Sequence, residues 1–222
     1  MQAAGAAGLP VPAVYDFVEL DGRVGYVMDR IDGGPMLGTL MRQPWRMLSL
    51  IRQFGTLHAR VHAATAPEGM TSSHARIEQR LEQLPDTDAA LRHRAEALLA
   101  SLPHGESLLH GDYHPLNLLM GASGPVLIDW PGATSGPAEA DVARTSVLMA
   151  ASTPPNGMPL MLWLMSALRR RLFIPRYVAA YQQTQPLDLG QLRQWQVVHA
   201  IARLVEGPPE EADALRDLIG AE

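Results

Sequence analysis

A short segment near the middle of the chain carries the residue types that phosphoryl transfer requires. Residues 110–117 read HGDYHPLN, and Asp129 follows twelve residues after Asn117. Phosphoryl transfer needs an acid group that orients the attacking hydroxyl, and oxygen ligands that hold Mg²⁺ against nucleotide phosphates. Asp112 could supply the first function. The side-chain oxygens of Asn117 and Asp129 could supply the second, because Mg²⁺ prefers hard oxygen ligands.

The spacing of these residues resembles that of a known family. The D-x-x-x-x-N pattern from Asp112 to Asn117 is that of the protein-kinase catalytic loop, and Asp129 stands where the D-F-G aspartate would be. Glycine after His110 and Trp130 after Asp129 make the set similar to the aminoglycoside phosphotransferase and choline kinase branch. The resemblance implies an α+β, protein kinase-like fold with a small β lobe and a mainly helical large lobe. It also implies an ATP- and Mg²⁺-dependent kinase that acts on an alcohol group of a small molecule.

The resemblance assigns roles to individual residues. Asp112 would be the catalytic residue that holds the acceptor hydroxyl, and Asn117 and Asp129 would bind Mg²⁺. His110 would brace the catalytic loop from behind, and Asp141 would accept hydrogen bonds from that loop. The residues whose backbone would face the adenine of ATP are Met28, Asp29, Arg30 and Ile31.

Each of these residues also has a structural interpretation. An aspartate after glycine, such as Asp112, often caps a turn, and Asn117 could make a hydrogen bond where a strand begins. Asp129 could cap the end of a strand before Pro131, and the helix dipole favours an aspartate such as Asp141 in a first turn. The functional interpretation is preferred because Asp112, Asn117 and Asp129 occur together at matching spacings.

Two alternative functions use the same sequence. On an extended strand His110, Asp112 and His114 would share one face, and they could then ligate zinc in a metal-dependent hydrolase. Such a site needs further ligands, but His58 and His62 lack the glutamate of the H-E-x-x-H signature, and a helix-edge position is preferred for them. The other alternative is a non-catalytic, pseudokinase-like binding module.

The composition of the chain limits the classes of binding partner that can be expected. The chain has 222 residues and a net charge of −5, with no basic stripe along any face, which argues against nucleic acid. It contains no cysteine, so thiolate metal sites and disulfides are excluded. The most apolar run, Met158–Leu168, is about half as long as a bilayer span requires. We therefore expect a cytoplasmic protein with a small-molecule acceptor and no membrane partner, while the oligomeric state is not predicted.

The basic residues are unusual for a kinase. All eighteen are arginine, so the lysine that normally holds the α- and β-phosphates is missing. No glycine-rich phosphate loop is recognisable either. The resemblance begins at Gly8–Pro12, so residues 1–32 are expected to be a remnant of the N-terminal lobe and hinge, and residues 33–222 the helical C-terminal lobe. We expect a truncated form with impaired activity.

Hydrophobic patterns predict the elements that position the candidate site. Residues 14–20 and 23–29 flank Asp21-Gly22 and predict a tight hairpin, followed by a hinge at residues 32–35. Residues 116–120 and 126–128 predict a second hairpin, with Asn117 at its entrance and Asp129 at its exit. Helical periodicity covers residues 45–62, 77–84 and 91–102. After Asp129 the chain is predicted to be helical to its end, with helices over residues 138–151, 158–184, 187–206 and 209–219.

The predicted helix over residues 158–184 contains Pro175, which should kink or split it. The acceptor site is expected over the helical lobe, built by the segments Trp45–Arg76 and Met158–Trp195. A polycationic aminoglycoside would require an acidic pocket there. The acidic residues that these later helices offer are Asp188, Glu206, Glu210 and Glu211, beside several arginines.

Overall fold

The computed structural model describes residues 1–152 and 160–220, with side chains described outside residues 160–170. The helices are α1 (Gln2–Ala6), α2 (Met36–Arg42), α3 (Met47–His62), α4 (Ser73–Leu81), α5 (Ala89–Ser101), α6 (Ala138–Ala151), α7 (Leu160–Gln182), α8 (Leu189–Glu206) and α9 (Ala212–Gly220). The strands are β1 (Val14–Leu20), β2 (Arg23–Met28), β3 (Ser107–Leu109), β4 (Leu118–Gly121), β5 (Gly124–Leu127) and β6 (Thr134–Gly136). The fold is α+β, with short antiparallel hairpins and a mainly helical remainder, as the sequence predicts.

The first hairpin is confirmed at its turn. β1 and β2 pair antiparallel, and Leu20 lies opposite Arg23. Asp21 and Gly22 have φ angles of 52° and 72°, which is the left-handed pair that a type I′ turn requires. The hairpin is largely exposed, and Val24 keeps 80% of its surface accessible.

The hairpin of β4 and β5 positions the candidate site and is also confirmed. Leu118 pairs with Leu127, and Gly121 pairs with Gly124 across the turn. Leu118 and Leu127 are both fully buried, so the apolar pair fixes the register of the two strands. Asn117 immediately precedes β4, and Asp129 follows β5 by two residues.

The expectation that the chain is helical throughout after Asp129 is not met at one place. β6 lies before α6 and pairs antiparallel with β3, with Leu109 opposite Thr134. Strands of three residues carry too little periodicity to be recognised, and their pairing partner is distant in sequence. The helices α1 and α2 were also not predicted, because they are too short to show a clear helical periodicity.

The helical body contains the core. α3 packs along α7, and α6 packs along α8. Gly55 allows the first contact, because a Cβ there would lie 2.9 Å from the Ala180 Cβ and from the Tyr177 carbonyl oxygen. Phe54 and Tyr177 meet edge-on, with ring centroids 5.1 Å apart.

α7 runs as one helix through Pro175, so a split there is wrong. Burial of Phe173, Tyr177 and Tyr181 on the same helix supports its continuity across the proline. Residues 158 and 159 of the predicted helix lie outside the described residues. In the described part of the chain, no helix is both long enough and apolar enough to cross a membrane.

Candidate active site

The candidate catalytic loop joins β3 to β4 and is held against the segment that follows β5. Gly111 has a φ of 76°, which L-residues adopt at a cost. A Cβ at this position would lie 2.0 Å from the carbonyl oxygen of Gly132. The two backbones therefore approach so closely that only glycine fits after His110.

Asp112 lies at the centre of a small group of polar side chains. The Asn117 amide donates from Nδ2 to the Asp112 carbonyl oxygen at 2.9 Å and to Oδ2 at 3.1 Å. His114 Nε2 lies 3.3 Å from the same Oδ2. The Asp112 side chain remains 37% exposed. A substrate hydroxyl can therefore reach it.

The charge state of Asp112 suits a hydrogen-bond acceptor. Burial raises the pKa of Asp112, but the hydrogen bond from His114 and the charges of His114 and Arg144 outweigh it and lower the pKa below its ordinary value. The carboxylate is thus ionised near neutral pH. An ionised carboxylate can accept a hydrogen bond from a hydroxyl group and thereby align that group.

The second hairpin returns Asp129 to the vicinity of Asn117. The Ile128 amide donates to the Asn117 carbonyl oxygen at 3.0 Å, and the Ile128 carbonyl lies 3.0 Å from His110 Nε2. Asp129 follows directly, is exposed, and has a φ of 66°. A non-glycine residue in this region carries backbone strain, which proteins often place at functional sites.

Asp141 connects the helical body to the catalytic loop. Its Oδ2 accepts the amide hydrogen of His110 at 2.6 Å, and its Oδ1 accepts that of Gly111 at 3.0 Å. Oδ2 also lies 3.1 Å from His58 Nε2 and 3.2 Å from His62 Nε2. Asp141 on α6 therefore contacts both the loop and α3.

The two histidines extend this contact to α7. His58 Nδ1 lies 2.5 Å from the Tyr177 hydroxyl, and His62 Nδ1 lies 2.7 Å from the Tyr181 hydroxyl. Because a carboxylate only accepts, Nε2 of each ring carries the hydrogen that faces Asp141, and Nδ1 of the neutral His58 ring accepts from the Tyr177 hydroxyl. The Tyr181 hydroxyl lies between His62 and Gln185, and it donates to Gln185 Oε1 at 3.2 Å. We call His58, His62, Asp141, Tyr177 and Tyr181 the Asp141 network.

Burial sets the protonation states in the Asp141 network. Burial, followed by the neighbouring His62, lowers the pKa of His58 to about 3. Burial alone would raise the pKa of Asp141, but the hydrogen bonds from His58 and His62 hold it well below its usual value. An ionised Asp141 is therefore bonded to a neutral His58. The functional connection of His58 and His62 was missed, although their i, i+4 spacing places both on one helix face.

Besides Asn117 and Asp129, two histidine-containing groups among the described residues are candidates for metal ligation. His58, His62 and Asp141 offer ligand atoms within 4.8 Å of one another, but hydrogen bonds already join these atoms. The zinc alternative at His110, Asp112 and His114 needs an extended strand. That strand is absent from the described loop, because β3 ends at Leu109 and Gly111 has a positive φ.

The predicted adenine-facing residues lie where β2 ends. The Asp29 carboxylate accepts the Ala13 amide at 3.0 Å and the Tyr15 hydroxyl at 2.5 Å. The Asp29 amide donates to the Ala13 carbonyl, and the Ile31 carbonyl accepts from Gly33. The Asp29 side chain thus fixes the start of β1, while Arg30 forms an exposed ion pair with Asp32.

Comparison with known proteins identifies the family. The model of the phosphotransferase enzyme family matches residues 1–195, so the chain belongs to that family. Among curated proteins, none matches this chain significantly.

Solved structures with a similar fold include kinases. The amicoumacin kinase hAmiN, in complex with AMP-PNP, Ca²⁺ and Ami, is 12% identical over 98% of this chain and 73% of that chain, with a TM-score of 0.66. A choline/ethanolamine kinase family protein from Mesorhizobium loti is 15% identical over 99% and 77%, with a TM-score of 0.63. The aminoglycoside phosphotransferase APH(4)-Ia is 18% identical over 96% and 78%, with a TM-score of 0.61. These likenesses show the protein kinase-like fold.

Proposed function

We propose that the chain is an ATP-dependent phosphotransferase that moves the γ-phosphate to a hydroxyl of a small molecule. The observation that carries this proposal is the hydrogen bond between the Asn117 and Asp112 side chains, together with the backbone pairing that brings Asp129 close to Asn117 along the second hairpin. Asn117 Nδ2 lies 3.1 Å from the Asp112 carboxylate, and the residue before Asp129 is hydrogen-bonded to the Asn117 backbone. Membership of the phosphotransferase family supports the reaction class.

Each residue has a role in this proposal. The ionised Asp112 orients the acceptor hydroxyl toward the γ-phosphate and accepts its hydrogen bond. Asn117 directs its amide hydrogens to Asp112, and its side-chain oxygen, Oδ1, is the proposed ligand for Mg²⁺. His110 and Asp141 hold the loop from behind through the Ile128 carbonyl and the loop amides.

The donor set fits the cofactors that the family implies. Asn117 and Asp129 offer hard oxygens, and the exposed Asp129 has room for a hydrated ion and phosphate oxygens. When bound, Mg²⁺ neutralises charge on the transferring phosphate. The backbone of residues 28–31 is the proposed adenine contact. The related structures determined with AMP-PNP support nucleotide use.

The acceptor is proposed to be a small hydroxyl compound without several positive charges. The APH(4)-Ia structure contains hygromycin B, but three of the four acidic residues that the later helices offer, Asp188, Glu206 and Glu211, already have partners here. Asp188 accepts the Gly190 and Gln191 amides at the start of α8. Glu206 pairs with Arg80, and Glu211 pairs with Arg203. Part of the proposed acceptor segment Met158–Trp195 lies outside the described residues.

A non-catalytic binding module is the second candidate. The observation that favours it is the absence of lysine from all 222 residues, together with the absence of a glycine-rich phosphate loop. Loss of one charge-stabilising donor commonly costs about 10²–10³ in rate. We therefore propose that these 222 residues alone transfer phosphate slowly.

Thermal unfolding with ATP and Mg²⁺ tests the proposed function. We expect ATP with Mg²⁺ to raise the unfolding midpoint, and ATP with EDTA to raise it much less. Asp129→Asn should abolish the difference, whereas Asp213→Asn, at an exposed position on α9, should preserve it. Slow ATP consumption that Asp112→Asn abolishes would favour the enzyme over the binding module. Indifference of the unfolding midpoint to ATP and to Mg²⁺ would contradict both nucleotide binding and catalysis.

A further inference from the structure

A small cavity lies beside Gly111 of the catalytic loop, between α4, α6 and α8. Its volume of about 20 Å³ accommodates a ligand the size of a water molecule or a monatomic ion. The polar side chains that line it are Ser73, Arg76 and Arg80 from α4, Asp141 and Arg144 from α6, and His199 from α8.

Positive charge exceeds negative charge around this cavity. Arg80 and Arg144 share one carboxylate, that of Glu206, and Arg80 Nε lies 3.1 Å from its Oε2. Asp141 already accepts two loop amides and two histidine rings. Arg76 forms no ion pair with any residue that the structure describes. Three guanidinium groups therefore face two carboxylates, and one positive charge has no counterpart.

Several buried polar atoms at the cavity lack partners in the described part of the chain. They are Ser73 Oγ, Arg76 Nε and both ring nitrogens of His199. Ser73 and His199 are each only 5% exposed. The Ala140 carbonyl lies near enough to His199 to favour its protonation slightly, but not in hydrogen-bond geometry. Buried donors without partners are unusual in native proteins, and a bound ion is one explanation of such a group.

The protonation states agree with this charge surplus. Burial, and after it the charge of Arg144, lowers the pKa of Arg80 to about 10. Burial and the same arginines hold the pKa of His199 well below its usual value. The site therefore disfavours every additional positive charge, and an anion would relieve the repulsion among the arginines.

We propose that this cavity binds one halide-sized monovalent anion, such as chloride. Arg76 Nε, Ser73 Oγ and a ring N–H of His199 would donate to it. Its single charge would balance the unpaired guanidinium. Arg144 Nε also donates to the Gly111 carbonyl at 2.8 Å, so the site is joined to the catalytic loop through one side chain. The proposal does not depend on the phosphotransferase function.

Two measurements on the 222-residue chain test the anion site. At fixed ionic strength, replacing gluconate by chloride or bromide should raise the unfolding midpoint saturably, by roughly 3–6 °C at ten times Kd. Crystals soaked in bromide should show an anomalous peak within the cavity. An unchanged midpoint in both halides, or bromide peaks only outside the cavity, would overturn the proposal.

Variants give the matched comparison. Arg76→Gln should remove the halide response, and Arg23→Gln, at an exposed position on β2, should retain it fully. Ser73→Ala serves if Arg76→Gln does not fold, and should weaken halide binding several-fold. An equal halide response in Arg76→Gln, Ser73→Ala and the unmodified chain would show that the stabilisation arises elsewhere.

Discussion

At Gly111 the requirement for glycine has two separate causes. One is the φ of 76°, and the other is the Gly132 carbonyl that leaves no room for a Cβ. Gly69 has almost the same φ, 77°, but a Cβ there would meet nothing within 4 Å. A comparison of Gly111 with Gly69 therefore distinguishes the cost of a positive φ from the cost of a steric clash.

We predict that Gly111→Ala lowers the free energy of unfolding by more than ~3 kcal/mol, because it adds a steric clash to the strain. Gly69→Ala should cost only about 1–2 kcal/mol, the conformational penalty alone. Urea unfolding of both variants measures the difference. Equal losses would mean that the loop and the Gly132 segment can move apart freely, contrary to the structure.

The residue types of the site were readable in the sequence, because Asp112, Asn117 and Asp129 are close enough along the chain for a motif to recognise. Their proximity in space depends on the hairpin of β4 and β5, and the apolar strands and glycine-containing turn of this hairpin can also be predicted from the sequence. The Asp141 network was not readable. His58 and His62 meet Asp141 across sequence separations of 83 and 79 residues, and no local pattern predicts such a contact.

At the scale of elements, the Asp141 network joins α3, α6 and α7 to the catalytic loop. Its members are buried, and each hydrogen bond that joins Asp141, His58 and Tyr177 has one donor and one acceptor when His58 is neutral and Asp141 is ionised. A fully paired buried network specifies one arrangement of its helices, because any shift leaves a polar group unpaired. The loop that carries Asp112 is thus positioned by helices far from it in sequence.

Acid should weaken this arrangement in a defined range. The folded-state pKa of His58 is about 3, against an unfolded value of 6.5. Between these values the unfolded chain binds a proton that the folded chain does not, so stability falls as pH decreases. His58 alone should contribute about 1.4 kcal/mol per pH unit through this range. The lowered pKa of Asp141 acts in the same direction below its unfolded value of 3.8.

Chemical unfolding at a series of pH values measures this effect. His58→Gln keeps a donor for Asp141 but has no titrating ring. Between pH 6.5 and 4 it should reduce the slope of the unfolding free energy against pH by the equivalent of about one proton. His93→Gln is the control, because His93 is exposed on α5. A slope unaffected by His58→Gln would mean that His58 is protonated in the folded protein.

At the scale of the whole molecule, the first hairpin differs from the rest of the fold. Large apolar side chains on both its strands are exposed, including Phe17 at 63% and Leu20 at 73%. An isolated two-stranded hairpin is marginally stable, and unpaired edges favour association between chains. The division at residue 32 into a small-lobe remnant and a helical lobe stays a prediction, as does a cytoplasmic location.

Paramagnetic relaxation by Mn²⁺ in place of Mg²⁺ is the most direct test of the central claim, that Asn117 and Asp129 form a divalent-metal site next to Asp112. In NMR spectra recorded with ATP, we predict that Mn²⁺ broadens the amide signals of these three residues first. Asp129→Asn should weaken this broadening. Broadening centred instead on His58, His62 and Asp141, or spread evenly over exposed acidic residues, would contradict the account.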